Sequence, residues 1–277
     1  PSTLRIGVEK SRNLMTVRIA QEIGLNKITN FSKKLKIYER PEELMSISLG
    51  SAETTLLKMT SAYSSFVNGG KLVEPIFIDR IQDSEGKTIF KNQLRFCKDC
   101  DLISYTSENL PQIKNNYKQI FSPQTAYQMT SILEGVVQRG TGKKLKDLNL
   151  QLAGKTGTTN KNTDAWFIGF TSNLVIGVYV GFDNPRTLGK FETGSKTALP
   201  IFKEFVKNSV NNHEARPFKV AKGIKMMVVD ASTGKKADSN SKSTIIESFK
   251  EEKIANNYKI DIDNIGNVSK TNILKFY

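Results

Sequence analysis

The stretch QLAGKTGTTNKNTDAWFIGFT, Gln151 to Thr171, changes character along its length. Leu152 and Ala153 are apolar, Gly154 and Gly157 carry no side chain, and around them stand Lys155, Thr156, Thr158 and Thr159. A glycine within a strand marks a place where a ligand or another backbone comes close. A cation and hydroxyl donors beside free main-chain N–H groups suit an anion, such as a carboxylate held next to an acyl group under attack. Taken alone, Gly154-Lys155-Thr156-Gly157 is equally well a hairpin turn. A phosphate loop does not fit: Asn149 stands where that pattern needs a glycine, and a second strand follows where it needs a helix. Ala165–Thr171 and Leu174–Asp183 read as further strands, spaced closely enough for an antiparallel meander.

Helical patterns flank these strands. Ser122-Pro123 is a cap followed by proline, and it opens a helix that carries Met129, Ile132, Leu133 and Val136 up to Arg139-Gly140. On the other side, 197–212 carries Ile201, Phe202, Phe205 and Val206 on one face, with a start near Pro200. Within Ser48–Gly70 a loop leads to a helix with Leu56, Met59, Tyr63 and Phe66 on one side, ended by Asn68-Gly69-Gly70. Near the start, Leu14, Met15, Ile19 and Ile23 are helically spaced up to Gly24, and Ser11 stands at the N-cap position. Pro75–Gln82 and Lys87–Phe90 predict a hairpin around Asp83–Gly86. The weakly patterned 101–118 predicts loop, and Lys222–Phe249 predicts short strands with Ser232–Lys235 as a turn. The Asn- and Lys-rich end to Tyr277 predicts a loosely held tail.

The chain has 277 residues, with 41 Lys and Arg against 27 Asp and Glu, giving a net charge of +14. Such a balance favours anionic partners. The excess is mostly scattered lysine, without the Arg-rich stripe or aromatic-interleaved basic motif of a specific nucleic-acid binder. No segment approaches the ~20 apolar residues of a membrane span. Cys97 and Cys100 form one CxxC, and the single histidine, His213, is far away in sequence, so no metal site is expected and the pair reads as incidental or a local disulfide. No cofactor is called for. The first residue is Pro1 rather than Met, which predicts that the chain begins inside a longer product or reading frame.

Several segments together are more specific than any one. Ser11-Arg12-Asn13 within GVEKSRNLMTVRIA, then SLGSAETTLLKMTSAYSSFVNGG, VVQRGTG, AGKTGTTNKNTDAWFIGF and VGFDNPRTLG occur in an order that resembles the transpeptidase domain of class A penicillin-binding proteins. The resemblance covers most of residues 5–215, and Met226–Lys250 resembles the segment that follows that domain. It implies an α+β fold of the β-lactamase/transpeptidase type, an antiparallel sheet flanked by helices. Residues 1–215 would be the C-terminal portion of the domain, and 216–277 an extension with short strands and a tail.

The resemblance also implies a chemistry: a serine-type D-Ala-D-Ala transpeptidase or carboxypeptidase acting through an acyl-enzyme to cross-link peptidoglycan. Ser11 would relay the leaving-group proton and Asn13 would bond the substrate amide. Lys155 would supply positive potential, and the Thr156 and Thr158 hydroxyls would hold the terminal carboxylate of a stem peptide or β-lactam. Gly157 would let the substrate lie along the strand, with the Thr158 N–H as half of an oxyanion hole. The implied setting is cell-wall synthesis and cell shape, at the periplasmic face of the inner membrane.

One part of the pattern is not in its place. The nucleophile and its base come from a Ser-x-x-Lys helix upstream of Ser-x-Asn, and only ten residues precede Ser11. Ser84/Lys87, Ser232/Lys235 and Ser239/Lys242 match the tetrad but lie in turns or polar stretches, out of order, and are read as chance matches. The N-terminal strands and nucleophile helix are thus expected to be missing, leaving Leu174–Val180 with an open edge. Two functions follow: a transpeptidase fragment inactive alone and completed by an upstream polypeptide, or a non-catalytic peptidoglycan-binding module or split-gene remnant.

Overall fold

The three strands around the Lys-Thr-Gly stretch form one antiparallel sheet with helices on both faces. The computed structural model describes residues 2–92, 95–98, 100, 112–115, 117–210 and 216–251. Its helices are α1 (Leu4–Glu9), α2 (Asn13–Ile23), α3 (Leu25–Lys34), α4 (Leu56–Val67), α5 (Pro123–Gln138) and α6 (Ala198–Ser209). Its strands are β1 (Arg80–Gln82), β2 (Thr88–Lys91), β3 (Arg95–Lys98), β4 (Gln112–Asn115), β5 (Ala153–Thr158), β6 (Asp164–Phe170), β7 (Val175–Gly181), β8 (Ile224–Asp230) and β9 (Thr244–Lys250). The central sheet has the order β5-β6-β7, with Lys155 opposite Ile168 and Trp166 opposite both Gly157 and Tyr179. Among the described residues, β5 and β7 each have a strand neighbour on one side only.

Strand alternation sorts the sheet into two apolar faces. Ala165 and Phe167 of β6, with Ile176, Val178 and Val180 of β7, face α6 and pack on its buried Ala198, Leu199, Phe202 and Val206. Ala153, Phe170 and Val175 lie on the other face, against Leu133 and Val136 of α5 and Tyr63 and Phe66 of α4. The expected α+β sandwich is therefore observed.

The cap of α5 acts as read: the Ser122 hydroxyl accepts from the Thr125 N–H at 3.2 Å, with Pro123 in the first turn. The β8–β9 hairpin docks on α5, where Gln128 donates to the Ser248 carbonyl at 2.8 Å and Lys250 to the Thr125 hydroxyl at 2.8 Å. Phe218, just before it, completes the second core.

The structure corrects several expectations. α1 and α3 were not foreseen, because α1 is too short to show a period and α3 carries few apolar residues. Ser11 is not the cap of α2: Arg12 holds that position without a side-chain bond, and Ser11 sits in a left-handed turn at φ 53°. Pro75–Asp79 is not strand, and the first hairpin begins at Arg80. Within the expected loop 101–118, Gln112–Asn115 pairs with Arg95–Lys98, while 101–111 lie outside the described residues. The strands of 222–249 are two seven-residue partners of one hairpin. Cys97 and Cys100 are joined by a disulfide. His213 and the stretch from 252 lie outside the described residues. Among those described, no helix is long and apolar enough to cross a membrane.

Candidate active site

Ser11 and Lys155, 144 positions apart in the chain, meet at the edge of the sheet. Lys155 Nζ donates to Ser11 Oγ at 2.8 Å and to the Thr156 carbonyl at 2.9 Å. Its stem is half-buried on the α5 side of β5, and among the described residues no carboxylate pairs with it. Burial of the ammonium without a counter-charge lowers its pKa to about 8. Ser11 reaches the lysine because α1 and α2 meet in a tight turn, with Arg12 N–H donating to the Gly7 carbonyl at 2.8 Å.

Asn13 is the first residue of α2, exposed and two positions from Ser11. Its side chain has no hydrogen-bond partner among the described residues.

β5 offers its outer edge. Thr159 N–H donates to the Asp164 carbonyl, and main-chain groups of an antiparallel strand alternate in direction. The groups of Gly157 and Lys155 therefore face β6, and those of Gly154, Thr156 and Thr158 face away from it. The Lys155 bond to the Thr156 carbonyl agrees with this.

Side chains alternate as well, so Thr156 and Thr158 lie on the opposite face from Lys155. The Thr156 hydroxyl is 2.9 Å from that of Thr141. The Thr158 hydroxyl accepts from the Gly194 N–H at 3.0 Å, which leaves its own proton free to donate. Gly194 has no room for a side chain: a Cβ there would stand 2.4 Å from the Trp166 carbonyl oxygen and 2.5 Å from that of Gly157.

Beneath Ser11 runs a buried ionic network. Arg5 and Glu9, one turn apart on α1, are 4% and 3% exposed. Glu9 accepts from Arg139 Nη2 at 2.6 Å and Nε at 3.2 Å, and stands 3.6 Å from Arg5. Arg5 donates to the Ser131 carbonyl at 2.9 Å and hydroxyl at 3.0 Å, and pairs with Glu247 of β9. Burial alone would lower the Arg5 pKa, but the bond and charge of Glu247, with Glu9, raise it above its ordinary value. Gly135 makes room for this network, since a Cβ there would fall 1.9 Å from Glu9 Oε1. None of these residues stood out in the sequence. The signal that could have found them is the opposite-charge i, i+4 pair at Arg5 and Glu9.

Three Ser-x-x-Lys tetrads remain. Ser84/Lys87 is in the β1–β2 turn, and Ser232/Lys235 and Ser239/Lys242 are in the β8–β9 connection, none on a helix. The arrangement at β5 thus holds a cation, a bonded hydroxyl and an edge of free main-chain donors, suited to an extended acyl compound with an anionic end.

This chain belongs to the penicillin-binding protein transpeptidase domain family, whose match covers residues 1–207. It is similar to penicillin-binding protein 1A of Rickettsia bellii, 43% identical over 252 residues, which are 90% of this chain and 32% of the relative. The protein of the same description from Rickettsia conorii is 44% identical over 250 residues, 90% of this chain and 31% of that one. Among solved structures, penicillin-binding protein 1A from Haemophilus influenzae is similar at a TM-score of 0.76 and 29% identity, over 90% of this chain and 40% of that one. The chain thus spans under half the length of each of these relatives.

Proposed function

We propose that residues 1–215 supply the Ser-x-Asn and Lys-Thr-Gly parts of a penicillin-binding DD-transpeptidase site, with 216–277 a C-terminal extension. The observation that carries this reading is the 2.8 Å contact between Lys155 Nζ and Ser11 Oγ beside the outward edge of β5. A stem peptide, or a β-lactam in its place, would lie along β5 over Gly157, its carboxylate near Lys155 and the Thr156 and Thr158 hydroxyls. The acyl oxygen would turn to the Thr158 N–H. Asn13 would bond the amide, and Ser11 would pass the leaving-group proton. The attacking serine would come from a Ser-x-x-Lys helix on an upstream polypeptide, since no tetrad of this chain adjoins Lys155. The setting, by similarity to the penicillin-binding protein 1A relatives, is peptidoglycan synthesis at the periplasmic face of the inner membrane.

The test is labelling by a fluorescent penicillin, read on a denaturing gel, of an upstream polypeptide bearing a Ser-x-x-Lys helix, with and without this chain. Label on the upstream piece only when this chain is present, reduced at least about 100-fold by Lys155→Met, is expected. Label on that piece that ignores this chain or Lys155 overturns the assignment.

A further inference from the structure

We propose that Ser11 and Lys155 also form a serine–lysine pair that acts by itself, as nucleophile and general base, on small activated acyl or phosphonyl compounds. In the cross-linking role Ser11 only hands on a proton; here its Oγ takes the new bond.

Four features meet at this hydroxyl. Ser11 is exposed and held in a left-handed turn, with its N–H on the Val8 carbonyl at 3.2 Å and the next N–H on the Gly7 carbonyl at 2.8 Å. A non-glycine residue fixed at positive φ between two elements is a strained corner that presents its side chain outward. The lysine is anchored at a second point, the Thr156 carbonyl at 2.9 Å. A neutral amine keeps one N–H on that carbonyl and turns its lone pair to the Ser11 O–H.

The third feature is the charge balance. Of the charged groups on the surrounding elements, Glu9 is taken by Arg139 and Arg5, Glu134 by Gln151, Asp164 by Tyr179, and Lys10 by the Arg139 carbonyl. None holds Lys155 in its charged form, which is consistent with its lowered pKa of about 8. Fourth, α2 starts two residues after Ser11, at Asn13, and its N-cap Arg12 makes no side-chain cap bond. The positive end of its dipole favours negative charge developing near that start.

With an activated ester, the Ser11 Oγ–carbon bond forms as the ester C–O bond breaks. The hydroxyl proton moves to Lys155 Nζ and from there to the leaving oxygen, giving acyl-Ser11. With a fluorophosphonate, the Oγ–phosphorus bond forms, the P–F bond breaks, fluoride leaves and Lys155 keeps the proton.

The fluorophosphonate is the probe, used on the whole chain alone, with intact mass followed by peptide mapping. A single adduct on Ser11 is expected, its rate rising with pH about a midpoint near 8. Lys155→Met should slow it at least about 100-fold, the lower end of general-base contributions. Ser11→Gly, which tolerates the left-handed turn, should remove the adduct, while Ser232→Ala should leave it. An adduct absent from Ser11 at alkaline pH, or formed as fast in Lys155→Met, overturns the proposal. A failure here leaves the penicillin experiment above unaffected, because that label lies on another polypeptide.

Discussion

Removing the Glu9 carboxylate tests whether the network beneath Ser11 holds the first helix in place. Glu9 is 3% exposed and accepts two bonds from Arg139, at 2.6 and 3.2 Å. Deleting one member of a buried ion pair costs about 3–5 kcal/mol, because the partner is left without compensation. Here the partners differ. The Arg139 side chain is 41% exposed and can turn to water, whereas Arg5 is buried but keeps Glu247 and Ser131. Glu9→Ala should therefore fall at the low end, about 3 kcal/mol. Arg139→Ala removes two charge-assisted bonds but leaves Glu9 beside Arg5, so about 2 kcal/mol is expected. The double variant should cost about 2 kcal/mol less than the sum, because both substitutions break the same contact. Urea unfolding read by the single tryptophan, Trp166, half-buried with its ring 4.8 Å from that of Tyr179, measures all three. A loss below about 1 kcal/mol for Glu9→Ala, or strictly additive losses, refutes the reasoning.

Two further outcomes follow from the same site. The Lys155 pKa falls from 10.5 unfolded to about 8 folded, so between these values the unfolded chain binds more protons and stability should rise with pH. For a half-buried amine the rise is roughly 2 kcal/mol, and it should vanish in Lys155→Met, which should also be the more stable protein near neutrality. Equal pH dependence of the urea midpoints of the two proteins would contradict this. Gly194→Ala drives a methyl against two carbonyl oxygens that cannot move without the sheet, and should cost about 1–3 kcal/mol. A melting temperature equal to the parent's would show that the loop over Thr158 yields freely.

β6, β7, α4, α5 and α6 were legible because each buries one face and so carries a period, whereas β1 and β2 are exposed along their length and β4 lay in an expected loop. The meander around Lys155 was legible because glycines and hydroxyls interrupt that period where a backbone edge is kept open. α1 was not legible, since six residues complete less than two turns and its buried groups are Arg5, Gly7 and Glu9, which a hydrophobic pattern ranks as surface. The Ser11–Lys155 meeting was expected only from resemblance; no local rule joins positions 144 residues apart. That Thr156 and Thr158 engage Thr141 and Gly194 depends on which side each strand residue faces, which the motif alone leaves open.

Arg5 finds Glu247 across 242 residues of chain. At a synthesis rate of roughly 5–20 residues per second, about 12–50 s separate the emergence of the two. Through that interval Arg5 has no β9 carboxylate to receive it, and Ser131, Arg139 and Lys155 also arrive later than α1. The corner that carries Ser11 is thus made early and seated late. A truncation before the β8–β9 hairpin would leave a chain that has β5, β6 and β7 but lacks the carboxylate that pairs with Arg5 beneath Ser11.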